Sequence, residues 1–556
     1  MMKKPFPDAT TNRSLAPFAF LDQAKTRLLF IASCLILLYG CVFFRLLDLS
    51  YLQSQAEKGW DSPKTLKSLM TSRSDIRDRN GIPIATNVIT ASLYADGRRI
   101  FDSEEAAMKI HRVLPHLNKD ELRRKLSSKK PFLWLARHLT PEQKGKIINL
   151  GIPGVNFLRE ERRVYPQGNL FSHVVGFTDI DGNGLSGIEK SLDGSLRHAG
   201  RPIYLSLDVR FQNALFEALN YGMKHFHAEG ANGIIVDQNG HVHAMVSLPD
   251  FDPNHYGQVK DEKRFFNHNT LGVYEMGSTM KIFNTALALE SKKVNMKQKF
   301  ETHKPMRIGR FQITDYHPAK YPMNVEEIFV KSSNIGSARM ALEVGGEAQK
   351  AFFEKLGFFG ETELEVPEKG KPIFPKKWRD ITTITAAYGY GVAITPIHMV
   401  KAALGVLGTG KMRSLTLMKG RTQEGVRVSS QDTSDRLKDI MHRTVIEGTS
   451  RKVNLAGYEI GAKTGTSNAQ KTNRRGYNKK DSHNSIVVKF GEYIIFVMLH
   501  KPKGLPETYG FNASGWNTTV VSRRVIQSLA QIEGIPPAAQ NHDPIAGLIQ
   551  NVKASH

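Results

Sequence analysis

Residues 28–44 (LLFIASCLILLYGCVFF) run for seventeen positions without a charge. Leu46 and Leu47 extend the run past Arg45, whose aliphatic stem can snorkel, to the roughly 20 residues that cross a bilayer. Lys25 and Arg27 flank it on the N-terminal side, so the positive-inside rule predicts a cytoplasmic N-terminus and export of everything after the span. No small-residue cleavage site follows Phe44, which predicts an uncleaved signal anchor. Both cysteines, Cys34 and Cys41, lie inside the run. The exported body is therefore expected to have no disulfide and no thiolate metal site. Leu38-Tyr39-Gly40-Cys41 only partly matches a lipidation box, and both cysteines read as small apolar residues of a membrane helix.

Compartment then decides how the charge is read. The 556 residues include 77 Lys and Arg against 53 Asp and Glu, a net +24. Only six basic and two acidic residues precede position 48, so +20 falls on the part expected outside the cytoplasm. That excludes nucleic acid as the natural partner and points to anionic lipid or wall polymer. The length predicts more than one domain.

Residues 48–205 show little long helical periodicity and repeated turn signals such as Asn80-Gly81 and Asp181-Gly182. The Lys- and Arg-rich stretch 119–146 reads as a solvated helical surface. From about 206 the pattern becomes regular. Residues 233–237 and 241–246 flank Asp237-Gln238-Asn239-Gly240 as a hairpin. Residues 280–290 have helical spacing, 486–490 and 493–499 read as paired strands, and 518–531 as an amphipathic helix. Strands at both ends of a helical middle predict an α+β domain with an antiparallel sheet. The expected division is a tail at 1–27, an anchor at 28–47, an extended domain at 48–205, a second domain at 206–535 and a loose tail at 536–556.

Three short motifs occur in order in the second domain: Ser278-Thr279-Met280-Lys281 (S-x-x-K), Ser332-Ser333-Asn334 (S-x-N) and Lys463-Thr464-Gly465-Thr466 (K-T-G-T). Each is weak alone. Ser127–Lys130 repeats the first spacing in a charged run, and Ser482–Asn484 repeats the second out of order. As an ordered trio they are the signature of penicillin-binding proteins and class A β-lactamases. The residue types suit acyl transfer through a serine ester. A serine hydroxyl needs a base in reach, and Lys281 lies about one turn along the same helix face. Burial and a second cation, Lys463, would lower the Lys281 pKa. Ser332 can relay a proton, and Asn334 can hold Lys281 while binding a substrate amide. Gly465 lets a peptide lie close along the strand, Thr464 and Thr466 suit a terminal carboxylate, and the N–H groups of Ser278 and Thr466 would form an oxyanion hole.

With their surroundings these motifs resemble class B penicillin-binding proteins. Arg77-Asp78-Arg79-Asn80-Gly81, Arg163-Val164-Tyr165-Pro166 and the GLSGIE segment at 184–189 are similar to the family's membrane-proximal boxes. Gly389-Tyr390-Gly391, Thr395-Pro396 and Glu447-Gly448-Thr449 are similar to its catalytic half. Three positions depart from the common pattern: Ser74 and Ala462 stand where Gly is usual, and Met276 where Pro is. The resemblance implies a single N-terminal transmembrane helix, a pedestal domain and a penicillin-binding transpeptidase domain with an antiparallel sheet flanked by helices. It implies a D,D-transpeptidase that crosslinks peptidoglycan stem peptides through an acyl-enzyme on Ser278 and is inhibited by β-lactams. Lys281, Ser332, Asn334 and Lys463 would be its catalytic partners, and Thr464, Gly465 and Thr466 its substrate-binding residues, with no metal and no cofactor. The context is most similar to the division-specific FtsI-type branch of an α-proteobacterium. The implied partners are lipid-linked precursor polymer, an FtsW-type glycosyltransferase, other divisome membrane proteins and the inner membrane at the septum. An elongation-specific enzyme, or a hydrolase of the carboxypeptidase or β-lactamase kind, is the alternative.

Other patterns carry less. The G-x-G-x-x-G at 182–187 reads as a turn, because export removes dinucleotides from reach. The EF-hand-like start at Asp179 has Lys190 where a calcium loop needs Glu. His241 and His243 lack a third ligand. The basic loop with Lys471, Arg474, Arg475, Lys479 and Lys480 reads as solvated.

Overall fold

The computed structural model describes residues 29–30, 32–45, 72–198, 200–309, 311–470 and 477–538. The chain divides into two compact units, 1–71 and 72–556. In the first, 29–30 and 32–45 are helical, with Phe30, Ile36, Leu37 and Phe44 and both free cysteines exposed. Among the described residues no helix is long and apolar enough to cross a membrane. Leu28, Ile31, Leu46 and Leu47 of the expected span lie outside them, as do Lys471, Arg474, Arg475 and the final 18 residues.

In the second unit the N-terminal domain is organised on one long strand, Pro83–Ala95. Ile76–Arg77, Leu133–Leu139 and Val155–Val164 pair with it antiparallel, and Ile203–Tyr204 joins Ile76–Arg77 in parallel. Helices Ser103–Val113, Lys119–Ser127 and Pro141–Ile148 share a small core with it, in which Leu93, Ile110, Leu122, Leu126, Leu135 and Ile147 are buried. Side chains fix each helix start: Asp102 accepts from the N–H of Glu104 and Glu105, Asn118 from Glu121, and Thr140 forms a reciprocal box with Gln143. The basic stretch 119–146 is not one helical surface, because its centre is the strand Leu133–Leu139. Pro131 and Pro141 bracket a run whose Leu135, Ala136 and Leu139 are buried against the long strand.

The segments at 163–166 and 184–189, with Arg73, converge on buried charge. Glu189 is fully buried and bonds Arg73 at 2.6 Å and Arg163 at 2.7 Å. Arg73 also reaches Asp193 at 2.7 Å, and Arg163 the Ser74 carbonyl at 3.0 Å. Removing only the carboxylate would leave two guanidiniums out of water, a change that costs about 3–5 kcal/mol in comparable sites. Glu189→Ala is thus expected to lower the unfolding free energy of this domain, read from urea melts, by that amount, whereas Glu189→Gln should lose less. A midpoint unchanged in Glu189→Ala would show that the triad does not hold the domain.

The C-terminal domain has a five-stranded antiparallel sheet. Its order is Ile460–Gln470, Tyr477–Phe490, Tyr493–His500, Gly230–Val236, Val242–Leu248. The predicted hairpin and strand pair are therefore neighbours although some 250 residues separate them in the chain. Strand alternation sends Ile494, Phe496 and Met498 to one core and Ile495, Val497 and Leu499 to the other. Helices Val209–His225 and Thr518–Ile532 cover the second face. Lys281–Glu290, Pro396–Leu407 and Gln431–Ile446 lie against the first. The strand Ile460–Gln470 is at the sheet's edge. Asp78 joins the two domains: its carboxylate accepts from the N–H of Asn80 and Ile82, each at 2.8 Å, and of Val209 at 3.2 Å.

Candidate active site

The S-x-x-K motif opens a helix in an unusual way. Gly277–Met280 forms a 3-10 turn that passes directly into the helix Lys281–Glu290. At three residues per turn, positions i and i+3 eclipse, so Lys281 stands over Ser278 more closely than in an α-helix. Gly277 has φ +54°, and a Cβ there would lie 2.6 Å from the Thr466 carbonyl oxygen. A Cβ on Gly465 would lie 2.6 Å from the Met276 carbonyl. Both glycines are required by this contact, which seats the Ser278 turn against the K-T-G-T strand. The backbones that would supply the expected oxyanion hole at Ser278 and Thr466 are thereby side by side.

Lys281 is fully buried. Its ammonium donates to the Ser332 carbonyl at 2.6 Å, Asn334 Oδ1 at 2.8 Å and Ser332 Oγ at 3.1 Å. Burial, then the nearby charge of Lys463, lowers its pKa well below the ordinary lysine value, against the opposing charge of Asp315. When the amine is neutral its two N–H groups can stay on the two carbonyl oxygens. The lone pair is then left for a hydroxyl. Lys463, also fully buried, donates to the same Ser332 Oγ at 2.9 Å and to the Thr464 carbonyl at 3.3 Å. Burial lowers its pKa to about 7. One serine hydroxyl thus bridges two lysine amines, 51 and 131 residues away along the chain. Ser278 Oγ is half-buried and makes no hydrogen bond to a described residue.

Ser332 sits in the left-handed region at φ +59°, which a non-glycine residue adopts only when its surroundings hold it there. The brace is Asp315, a buried carboxylate outside the three motifs. It accepts from Ser333 Oγ at 2.5 Å, from the Ile335 N–H at 3.0 Å and from the Asn334 N–H. Ser333 caps the helix Asn334–Val344 by accepting from the Gly336 N–H at 2.9 Å. Thr464 Oγ1 is 2.8 Å from Thr449 Oγ1, and Thr466 Oγ1 accepts from the Ser514 N–H at 3.1 Å. Asp315 and Ser514 belong to no sequence motif considered above, and only the closed fold brings them here. Thr449 was legible only as part of a family box.

The decoys lie elsewhere. Ser127, exposed at the end of its helix, is bonded to the Arg124 carbonyl at 3.1 Å, and Asn484 is inside the strand Tyr477–Phe490. The glycine-rich segment is a turn held by Asp179, which accepts from the Asn183 N–H at 2.8 Å. His241 and His243 both bond Asp237 Oδ2 at 3.1 Å. Among the described residues no group of three or more His, Cys, Asp or Glu is arranged to hold a metal. A cavity of about 500 Å³, lined by residues including Leu404, His442, Tyr458 and Lys489, contains none of the motif residues. At the three departures, Ser74 uses its backbone to hold Arg163, and Met276 and Ala462 are buried in the core.

Comparison with known proteins gives this geometry a family. Residues 231–516 match the penicillin-binding protein transpeptidase domain, and 69–200 the penicillin-binding protein dimerisation domain. The probable peptidoglycan D,D-transpeptidase FtsI of Caulobacter vibrioides is 35% identical over 482 residues, covering 83% of this chain and 82% of that protein. The probable peptidoglycan D,D-transpeptidase PenA of Neisseria gonorrhoeae is 30% identical over 495 residues, 82% and 84% of the two chains. Peptidoglycan D,D-transpeptidase FtsI of Escherichia coli K12 is 27% identical over 478 residues, 79% and 80%. The crystal structure of penicillin-binding protein 3 from Mycobacterium tuberculosis, complexed with aztreonam, shares the fold at a TM-score of 0.67 and 19% identity, over 84% of this chain and 97% of that one. With both domain models matched in order and a relative 35% identical across four-fifths of each chain, the protein belongs to the class B penicillin-binding proteins.

Proposed function

We propose that this protein is a serine D,D-transpeptidase that crosslinks peptidoglycan stem peptides during septal wall synthesis. The observation that carries the reading is the pair of desolvated lysines sharing Ser332 Oγ beside the Ser278 turn. Neutral Lys281 takes the Ser278 proton as Oγ attacks the carbonyl of the penultimate D-Ala. The oxyanion forms against the N–H groups of Ser278 and Thr466. Collapse releases D-Ala, whose amine takes its proton from Lys281 by way of Ser332. The amine of a neighbouring stem then attacks the ester and gives its proton back along the same path to Lys281, which passes it to Ser278 Oγ as the ester bond breaks, leaving an amide crosslink and the free serine. Lys463, in its charged form, with Thr464 and Thr466 draws the substrate's terminal carboxylate. Asn334 binds the peptide amide. The unpaired edge of Ile460–Gln470, with Gly465 at its centre, accepts the stem as an added strand.

The septal assignment follows the relatives named FtsI. It carries with it a single-pass anchor at 28–47, a pedestal at 48–205, a transpeptidase domain at 206–535, and an inner-membrane location with the catalytic domain in the periplasm. The partners are lipid-linked polymer, an FtsW-type glycosyltransferase and other divisome membrane proteins. The decisive assay gives the purified chain a peptide ending in D-Ala-D-Ala together with a labelled acceptor amine. Labelled peptide with stoichiometric D-Ala release is expected. Release without labelling would make the protein a carboxypeptidase. Depletion in cells is expected to give filaments, and round cells would move the protein to elongation.

A further inference from the structure

Four residues ahead of Ser278, Tyr274 enters a histidine cluster that the acyl-transfer steps do not use. Its hydroxyl lies 2.6 Å from His268 Nδ1. The His268 ring stacks on His500 with centroids 4.3 Å apart, and His500 Nδ1 is 3.0 Å from His483 Nδ1. The Tyr274 ring touches both His500 and His483, at 5.0 and 5.1 Å between centroids.

The direction of the hydrogen bonds through His500 follows from one end. The Val246 carbonyl can only accept, so Asn269 turns its amide nitrogen to it at 2.7 Å. Asn269 Oδ1 is left to accept from Asn232 Nδ2 at 2.9 Å. Asn232 Oδ1 in turn faces His500 Nε2 at 2.8 Å, which must carry the proton. His500 Nδ1 is therefore bare and accepts from His483 Nδ1–H. The buried phenol of Tyr274 needs an acceptor for its proton and finds one in His268 Nδ1. A proton added to His500 would set two N–H groups face to face at 3.0 Å.

The surroundings keep the rings neutral. Burial, with His173 and His483 facing it, holds His268 at about 3. Burial and Lys501, against Glu229 and Asp481, hold His483 at about 4. Burial, then His268, His483 and Lys501, holds His500 well below its ordinary value. Glu229 is itself paired with Lys501 at 2.7 Å, and Asp481 with Lys503 at 3.1 Å.

The array touches both halves of the site. His483 lies opposite Ser467, the residue after K-T-G-T, in the sheet register. Ser467 Oγ donates to the Glu275 carbonyl at 2.6 Å, and Tyr274 exchanges two backbone hydrogen bonds with Ile394, at 2.9 and 3.0 Å. We propose that Tyr274, His268, His500 and His483 form a positioning device that sets the turn bearing Ser278 against the strand bearing Thr466, through the Tyr274–His268 hydrogen bond, the stacking of His268 on His500 and the one-way hydrogen bonds that run from His483 through His500.

The inference rests on Ser278 being the acylated nucleophile, and stopped-flow acylation of the full chain by a fluorescent penicillin separates the two. Tyr274→Phe is expected to slow the acylation step about tenfold, the scale of a sub-ångström misplacement, with the preceding non-covalent affinity unchanged. His268→Asn keeps an acceptor at the Nδ1 position and should stay within about twofold of the native rate, while His268→Leu should lose as much as Tyr274→Phe. The double variant Tyr274→Phe/His268→Leu should lose no more than either single one. A native rate in Tyr274→Phe, or His268→Asn as slow as Tyr274→Phe, overturns the proposal, and this pair decides it even if His268→Leu does not fold. Fully additive losses in a folded double variant also overturn it. Absence of an adduct on the unaltered protein would instead remove the acyl-transfer reading and the positioning role with it.

Discussion

Ser278→Ala is expected to abolish covalent capture of a fluorescent penicillin and leave the fold intact. Covalent capture needs a hydroxyl placed where both a base and an oxyanion hole can act on it. Within the site, Ser332 is the serine whose hydroxyl is hydrogen-bonded to lysine amines. Its oxygen is committed to Lys281 and Lys463 at 3.1 and 2.9 Å, and its backbone is fixed at φ +59°. Ser278 Oγ is bonded to no described residue, so its removal breaks no hydrogen bond that supports the turn. The melting temperature should stay level or rise, as it does where a residue is kept for chemistry and not for packing. Intact-mass measurement after incubation with excess penicillin checks both points: no mass increment is expected in the variant and one per chain in the native protein. A stoichiometric adduct on Ser278→Ala would move the nucleophile elsewhere.

Lys281→Met is expected to lower the acylation rate constant by about 10² to 10⁴, the usual share of general base catalysis. Stability should move the other way. Methionine fills the tunnel left by the lysine stem and removes an amine held out of water, and buried charged groups replaced by apolar ones of like volume often stabilise. The pH dependence follows from the sign of the shift. The folded pKa of Lys281 lies below that of the unfolded chain, so between the two values the unfolded state binds the extra proton. Native stability therefore rises with pH across that interval. The stability advantage of Lys281→Met should be greatest at low pH and shrink as pH climbs towards 10.5, which denaturant melts at several pH values would reveal. Lys463, lowered to about 7, adds a slope of the same sign above neutrality in both proteins. A variant that acylates at the native rate would remove Lys281 from the role of base.

The parts of this site that could be read from the chain are those encoded by local spacing. S-x-x-K says that a hydroxyl and an amine share a turn, and the structure tightens this with a 3-10 turn. The Asp237–Gly240 hairpin was legible because turn chemistry and strand alternation are both local, as was the helix Thr518–Ile532 from its apolar face. The strand Leu133–Leu139 was not, since flanking lysines and arginines masked a short apolar run that only cross-strand pairing to Ala91–Ala95 makes a strand. Asp315 was invisible for a related reason. It lies 18 residues before Ser333, in no pattern, and acts by accepting hydrogen bonds from a loop that the fold carries to it.

By itself the sequence determined which groups are available: one ordered trio of motifs, the glycines that let backbones touch at Gly277 and Gly465, and a cysteine-free body beyond position 41. The tertiary structure decided what state those groups are in. A lysine is an ordinary cation in an unfolded chain, and nothing in its neighbours along the sequence changes that. Lys281 and Lys463 depart from that state only when the sheet closes, bringing two amines 182 positions apart onto one hydroxyl and excluding water from both. Desolvation and charge proximity belong to three-dimensional packing, and they set the protonation states on which acyl transfer depends.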